Sequence, residues 1–236
     1  MIDFTGISAI GIPEGAVVKI ANSVGEILWE KVDADYRKLY QRVEYIYTAG
    51  SSGGWFLTDF VANNTSGLEF SFSVSSSADI ATMGSRTSAS DTRCYVFYPR
   101  TTTVGYIGWK TAQSWTVSTV LDTMYTTRLN WLNSRKAVIL DADGTTKATK
   151  SISDTLPQQV SPVGIGRYNN ATNSPTSARP IKIYGARITQ DSEIVREYIP
   201  CYRKSDGELG LYETFTGQFV TNAGTGTLTK GEDVEW

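Results

Sequence analysis

The sequence contains no histidine and only two cysteines in 236 residues. Without histidine, the chain cannot form a Ser–His or Cys–His nucleophile pair, and two distant cysteines cannot supply the four ligands of a structural zinc site. Cys94 and Cys201 are also too few for the disulfide framework of a small secreted scaffold. We expect two buried free thiols, with one long-range disulfide as the alternative.

Charge of either sign is scarce, and no long hydrophobic run occurs. The chain has 22 basic and 24 acidic residues, for a net charge of −2. We therefore expect neither a nucleic-acid partner nor a membrane partner, since no broadly basic surface and no apolar stretch of about 18–20 residues is present. Residues 1–6 (MIDFTG) show no basic segment leading into an apolar run, so we expect no secretory signal peptide.

What the chain has in abundance is β-forming and turn-forming residues. Residues 68–75 alternate strictly: Leu68, Phe70, Phe72 and Val74 share one face, and the polar residues between them share the other. This period of two predicts a strand with one buried and one wet face. Turn signals recur about every ten residues, which is typical of a sandwich or barrel. The sequence therefore predicts an all-β protein.

The chain divides into three parts. Residues 1–32 contain short apolar stretches separated by turn signals, which predicts a small N-terminal β unit that anchors or oligomerises the protein. Residues 33–42 are expected to be a linker or a short helix. Residues 43–236 are expected to form the main β-sandwich.

Motifs that could carry catalysis or bind a metal are incomplete. Residues 50–54 (GSSGG) match a nucleophile elbow but lack the histidine base. Residues 141–144 (DADG) begin like a calcium loop, yet Ile152 stands where the loop needs glutamate, so a hairpin turn is expected. The paired carboxylates of a jelly-roll glycosidase are not apparent in the sequence. We expect no enzymatic activity, no cofactor and no metal.

Glycan binding is the chemistry that remains. Sugar rings stack on aromatic side chains while polar side chains bond the hydroxyl groups. The candidate residues of these types are Tyr106, Trp109, Trp115, Arg167, Tyr168 and Asn169. The alternative is that the aromatic members fill the core of the sandwich.

The C-terminal end carries a recognisable pattern. It runs through residues 199–207 (IPCYRKSDG), 210–213 (GLYE) and 219–226 (FVTNAGTG), with looser matches at 43–50, 182–188 and 194–201. This pattern resembles the laminin-G/concanavalin-A-like jelly-roll domains of phage and prophage structural proteins from gut bacteria. The resemblance implies two antiparallel sheets in jelly-roll order. Members of the family include carbohydrate binders, adhesion modules and purely structural parts.

Three functional hypotheses follow from the resemblance and the missing catalytic groups. The first is a non-enzymatic virion protein of a tail tip, fibre or capsid appendage, assembled in the host cytoplasm. It would form a homo-oligomer such as a trimer, contact other virion proteins through residues 1–32 and bind host surface polysaccharide. The second is a carbohydrate-binding or adhesion module of a bacterial surface protein. The third and weakest is a polysaccharide hydrolase.

Overall fold

The computed structural model describes residues 18–21, 27–31, 36–48, 53–76, 82–86, 93–101, 104–156, 159–170 and 180–236. Within these ranges nearly all of the regular secondary structure is β-strand. The exceptions are one helical turn, α1 (Tyr36–Leu39), and a 3-10 turn at Trp131–Asn133. None of the helical segments in these ranges has the length and apolar character needed to span a bilayer.

The strands of the described residues form three sheets. A two-stranded sheet contains β1 (Val18–Ala21) and β2 (Ile27–Lys31). A seven-stranded sheet contains β5 (Phe56–Leu57), β7 (Met83–Arg86), β8 (Arg93–Thr101), β9 (Val104–Trp109), β10 (Thr111–Thr116), β14 (Gly164–Ile165) and β15 (Tyr168–Asn170). An eleven-stranded sheet contains β3 (Tyr40–Arg42), β4 (Ile46–Thr48), β6 (Ser66–Ser73), β11 (Tyr125–Leu129), β12 (Lys136–Asp141), β13 (Thr146–Ser151), β16 (Ile181–Gln190), β17 (Glu193–Arg203), β18 (Leu209–Glu213), β19 (Phe219–Thr221) and β20 (Leu228–Lys230).

The two large sheets are connected as a jelly roll. The seven-stranded sheet, called the small sheet below, has the strand order β10-β9-β8-β7-β14-β5. The eleven-stranded sheet, called the large sheet, has the order β13-β12-β11-β6-β16-β17-β18-β19. Consecutive strands β6 and β7 lie in different sheets, and their antiparallel neighbours β16 and β14 also lie in different sheets. These two strand pairs therefore wind together around the sandwich, as the resemblance implied. The predicted all-β jelly-roll sandwich is confirmed.

The core lies between the inner faces of the two large sheets. The large sheet contributes fully buried side chains such as Phe70 and Ile188, and the small sheet contributes Ile107, Trp109 and Ile165. Burial of this apolar surface supplies the main favourable free energy of folding, at about 25 cal/mol per Å². The faces turned away from the core are where a ligand can approach.

The prediction of one buried and one wet face for residues 68–75 is confirmed for the apolar face and partly wrong for the polar face. Leu68, Phe70 and Phe72 are completely buried. Glu69, which the alternation placed on a wet face, is also buried, with 4% of its surface exposed. The reason is that β6 is an interior strand, so long side chains from the strands on both sides cover its outer face.

The main sheet begins earlier than the predicted boundary at residue 43. In the stretch 33–42, α1 is followed directly by β3, which pairs with Cys201–Arg203 of β17. Stacked rings hold this stretch in place: Tyr36 lies on Tyr212 with ring centroids 5.0 Å apart, and Tyr40 lies on Phe219 at 5.0 Å.

Cys201 is a free thiol at the centre of this region, as expected. Its surface is 0% exposed, and burial raises the pKa of the Cys201 thiol to about 12. The thiol is therefore neutral near pH 7 and behaves as a small apolar side chain. The side chain of Cys94 lies outside the described residues.

The loop after β19, part of the C-terminal pattern, fastens the chain end to the start of the sandwich. Asn222 accepts hydrogen bonds from the N–H groups of Trp55 (3.2 Å) and Gly224 (2.9 Å), and its side-chain amide donates to the Gly226 carbonyl (2.8 Å). A Cβ atom at Gly226 would lie 2.7 Å from the backbone of Gly53, so only glycine allows this approach.

Replacing Asn222 should loosen this fastening. We expect Asn222→Ala to lower the free energy of unfolding by about 2 kcal/mol, since three hydrogen bonds to partly buried backbone groups are lost. Urea unfolding followed by tryptophan fluorescence measures the change. Thr221→Ala, at the exposed neighbouring position, is the control and should stay within about 0.5 kcal/mol of the wild type. Equal stability of Asn222→Ala and the control would contradict this role.

Candidate functional site

Four charged side chains form a row across the outer face of the large sheet. The strand register places Glu197 opposite Arg187, Arg187 opposite Glu69, and Glu69 opposite Arg128. The row crosses four adjacent strands, β17, β16, β6 and β11, with alternating sign. We call these four residues the charge ladder. Opposite charges directly across a sheet stabilise strand pairing.

Glu69 is the anchor of the ladder. The Arg128 Nε–H donates to its Oε2 and the Arg187 Nε–H donates to its Oε1, both at 2.5 Å. The Glu69 side chain is 5% exposed, while those of Arg128 and Arg187 are 34% and 36% exposed. A buried carboxylate requires such partners, because burial without them is costly. The guanidinium groups reach solvent.

A tight turn places an aromatic ring beside the two arginines of the ladder. The guanidinium carbons of Arg128 and Arg187 each lie 5.5 Å from the centre of the Trp131 ring, within cation–π range. The turn is strained, since Leu132 has a left-handed backbone with φ 52°. The Asn130 side chain stabilises it by donating to the Ser66 carbonyl (3.1 Å) and accepting from the Arg135 N–H (3.1 Å).

A groove opens beside the ladder where the large sheet forks. Strand β16 pairs with β17 at its C-terminal end and with β4 at its N-terminal end, while β17 pairs with β3 beyond the same point. A β-bulge between Ile183 and Gly185 marks the fork. The groove has a volume of about 260 Å³ and is lined by Arg42, Glu69, Ser71, Tyr184, Gly185, Ala186, Arg187, Glu197, Tyr198 and Ile199. Bulges of this kind often lie next to binding sites.

Two tyrosines and a lysine continue the site beyond the groove. The Tyr184 hydroxyl is 3.4 Å from the Ser73 hydroxyl, and its ring packs edge-on against Tyr45 with centroids 5.5 Å apart. The Lys182 ammonium lies 4.7 Å from the centre of the Tyr45 ring. We call the surface from Trp131 through the charge ladder and groove to Tyr45 the outer strip.

The outer strip combines half-buried aromatic rings with guanidinium, carboxylate and hydroxyl groups. Such a combination suits a ligand with both C–H faces and hydrogen-bonding groups. Both Glu69 oxygens already accept from arginine, so neither oxygen is placed to attack a substrate. Within the described ranges, His, Cys, Asp and Glu side chains do not gather into a group of three able to hold a metal ion. Asp141–Gly144 forms the predicted hairpin turn, with the Gly144 N–H donating to the Asp141 carbonyl at 2.9 Å.

Two residues predicted from sequence to contact a glycan belong to the core instead. Trp109 is 0% exposed, and its indole N–H donates to the Asp154 carbonyl at 2.9 Å. Trp115 is 8% exposed and packs in the same core cluster. Both lie on strands of the small sheet whose inward positions face the large sheet. Neither ring can therefore stack on an external sugar, and the core-packing alternative holds for them.

The other predicted residues do not come together as one site. Arg167 is buried and donates to the Gly53 carbonyl at 3.2 Å, and burial lowers the pKa of its guanidinium. Asn169 is also buried and donates to the Pro162 carbonyl at 3.0 Å. Tyr168 is half-buried beside Arg86 on the small sheet. Tyr106 is half-buried on β9, and β8 separates that strand from β7, the partner of Tyr168.

Sequence reasoning missed the outer strip because its members are far apart in the chain. Glu69 and Arg187 are separated by 118 positions, and only the pairing of β6 with β16 brings them together. The available signal was a single charged residue on the polar face of an otherwise apolar strand. Arg128 and Arg187, each on a strand next to β6, supply its partners.

Removing the Glu69 charge should disturb the strip. We expect Glu69→Gln to lower the free energy of unfolding by about 2 kcal/mol, because two guanidinium groups that are a third exposed lose their common partner. Chemical denaturation measures the change. The control is Glu193→Gln, which removes the same charge from an exposed position. A loss no larger than that of the control would show that the ladder does not stabilise the sheet.

Comparisons with known proteins give only distant likenesses. No protein-family model matches the sequence, and no curated protein matches it. Among solved structures, the chain is similar to a proposed carbohydrate-binding protein from Bacteroides ovatus, with 12% identity and a TM-score of 0.45 over 84% of this chain. It is also similar to a point mutant of the botulinum HCR/D domain, with 8% identity and a TM-score of 0.39 over 94% of this chain and 69% of the other. The chain spans 62% of the Bacteroides protein.

Proposed function

We propose that this chain is a non-enzymatic carbohydrate-binding module that holds its glycan on the outer strip. The observation that carries the proposal is the groove at the sheet fork, where Tyr184 lies beside Arg187 and Glu197. A tyrosine ring offers a face for the C–H side of a sugar, and charged side chains bond its hydroxyl groups.

The shape of the site also favours a polymeric ligand. The groove lies on a broad sheet surface, and the strip continues beyond it to Tyr45 on one side and Trp131 on the other. A polysaccharide can lie along such a surface with several sugar units in contact. A small metabolite would instead need a cavity that encloses most of its surface.

The arrangement of carboxylates supports binding over hydrolysis. Glycoside hydrolysis requires one carboxylic acid and one carboxylate or nucleophile on opposite sides of the scissile bond. Glu69 is held by two arginines, and Glu197 accepts from the Thr214 hydroxyl at 3.3 Å. These partners position both side chains as fixed hydrogen-bonding groups.

Loss of the Tyr184 ring should weaken binding. We expect the full chain to bind members of a bacterial polysaccharide array, and we expect Tyr184→Ala to bind about tenfold more weakly because one stacking contact is lost. Biolayer interferometry on the best array member measures the affinities. The matched control is Tyr106→Ala, which removes a half-buried tyrosine from the small sheet and should bind like the wild type.

Two other results would change this assignment. Loss of binding in Tyr106→Ala, with Tyr184→Ala unaffected, would move the site to the small sheet, which carries Tyr106 and Tyr168 of the residues predicted from sequence. Absence of binding across the array by a folded full chain would overturn the proposal.

The biological setting of the module remains a prediction, with two candidates. The C-terminal resemblance is the basis for a virion component that binds host glycan, and a bacterial surface adhesin would use the same outer strip. In the virion hypothesis, residues 1–32 join copies of the chain and other virion proteins. Repeated weak sites on one particle would then give avidity.

Oligomeric state is the quickest test of the virion hypothesis. We expect light scattering on the full chain to give a homo-oligomer, with a trimer as the expected size. Glycan binding by the same sample should then be stronger on a densely coated surface than on a sparse one, since avidity needs several sites at once. A monomer whose binding is independent of coating density would favour the stand-alone adhesion module.

A further inference from the structure

We infer that the glycan bound by the outer strip is an acidic polysaccharide, one that carries carboxylate or sulfate groups. This inference rests on the proposed function and adds the chemical class of the ligand. It comes from the charges and hydrogen bonds along the strip rather than from the overall composition of the chain.

The strip has a local excess of positive charge. Its basic side chains are Arg42, Arg128, Lys182 and Arg187, and its acidic side chains are Glu69 and Glu197. Four cations against two carboxylates leave two positive charges, on a chain whose net charge is −2. The strip therefore carries more basic than acidic side chains, and this local excess raises the local concentration of anionic ligands.

The arginines keep donors for a second partner. Arg128 bonds Glu69 through Nε, which leaves its two terminal nitrogens without a hydrogen-bond partner in the described part of the chain. Arg42 is exposed, and among the described residues its guanidinium makes one hydrogen bond, a long one of 3.4 Å to the Glu235 carbonyl that uses one of its terminal nitrogens. A guanidinium with paired terminal donors matches the oxygens of a carboxylate or sulfate.

The acidic members do not cancel this preference. The Glu69 charge is buried and compensated by Arg128 and Arg187. Glu197 lies opposite Arg187 in the register and faces the groove from β17. It can accept from sugar hydroxyl groups, so the strip can bond both the acidic groups and the hydroxyl groups of one chain.

The length of the strip fits several sugar units. It follows β6 from the level of Gly67, under the Trp131 turn, to Ser73 beside Tyr184. Six strand steps correspond to about 20 Å. The charge ladder crosses this path at Glu69, about a third of the way from the Trp131 end, and the tyrosines lie at the other end. An acidic chain laid along the strip would contact guanidinium groups near the Trp131 ring and tyrosine rings at the far end.

The test compares two polymers that differ only in their acidic groups. Polygalacturonate and its carboxyl-reduced form are each offered to the full chain in affinity electrophoresis and calorimetry. We expect the carboxyl-reduced polymer to bind at least about tenfold more weakly, since charge-assisted hydrogen bonds are lost. Dextran sulfate beside dextran makes the same comparison for sulfate groups. Binding of either acidic polymer should weaken as NaCl rises from about 0.05 M to about 0.5 M.

Charge-removing variants separate the strip from general electrostatic attraction. We expect Arg42→Gln, an exposed position with little structural role, to weaken acidic-polymer binding about fivefold. Lys147→Gln removes the same charge from β13 at the sheet edge and should bind like the wild type. Equal weakening by both variants would mean that overall charge, not the strip, attracts the polymer, and would overturn the inference.

The outcomes distinguish this inference from the proposed function. Equal binding of the acidic and neutral members of both pairs, or preference for the neutral members, would overturn the acidic class and leave carbohydrate binding intact. Failure to bind these four polymers while binding a neutral polysaccharide of the array would do the same. Failure to bind any polysaccharide would overturn both.

Discussion

Strand β6 is the element on which the rest of the sandwich depends. It pairs with β16 over Ser66–Ser73 and with β11 over Leu68–Phe72, so it joins the two halves of the large sheet. Its inner face supplies apolar side chains to the core, and its outer face carries Glu69. A strand that must be covered on both sides cannot leave a lone carboxylate unpaired. The two arginines that satisfy Glu69 therefore follow from the position of β6, and with them comes the charged surface.

The second organising feature is the fork in the large sheet. Strands β3 and β4 enter between the ends of β16 and β17, and they allow the N-terminal end of the sandwich to join the same sheet as the C-terminal strands. The bulge at Tyr184 and Gly185 accommodates the divergence and leaves the groove. A regular sheet would present a flat polar face here. The bulge that lets β3 and β4 join the large sheet therefore also creates the groove on the outer strip.

The C-terminal pattern acts on stability. Asn222 and the close-packed glycines after β19 attach the chain end to Trp55. The rings of Tyr36, Tyr212 and Trp236 also pack together, with the Tyr36 and Trp236 ring centroids 4.8 Å apart. Cys201 lies in the strand beneath, buried and neutral. The residues of the recognisable pattern therefore connect the C-terminal strands to the start of the sandwich. Apart from Ile199, which lines the groove, the outer strip lies on residues outside the most specific part of the pattern.

Local patterns in the sequence were enough to predict the all-β class, the buried face of residues 68–75, the hairpin at Asp141–Gly144 and the free Cys201. The first three depend on neighbours in the chain, since side chains alternate along a strand and turn residues favour particular backbone angles. The free Cys201 follows from the presence of only two cysteines in the sequence. Only the tertiary structure decided that Trp109 and Trp115 are core residues, since burial depends on which sheet face each strand turns inward. It also decided that the buried side chains of Arg167 and Asn169 donate hydrogen bonds to backbone carbonyls. Only strand register, which pairs Glu69 with residues 59 and 118 positions away in the chain, decided that it meets its two arginines.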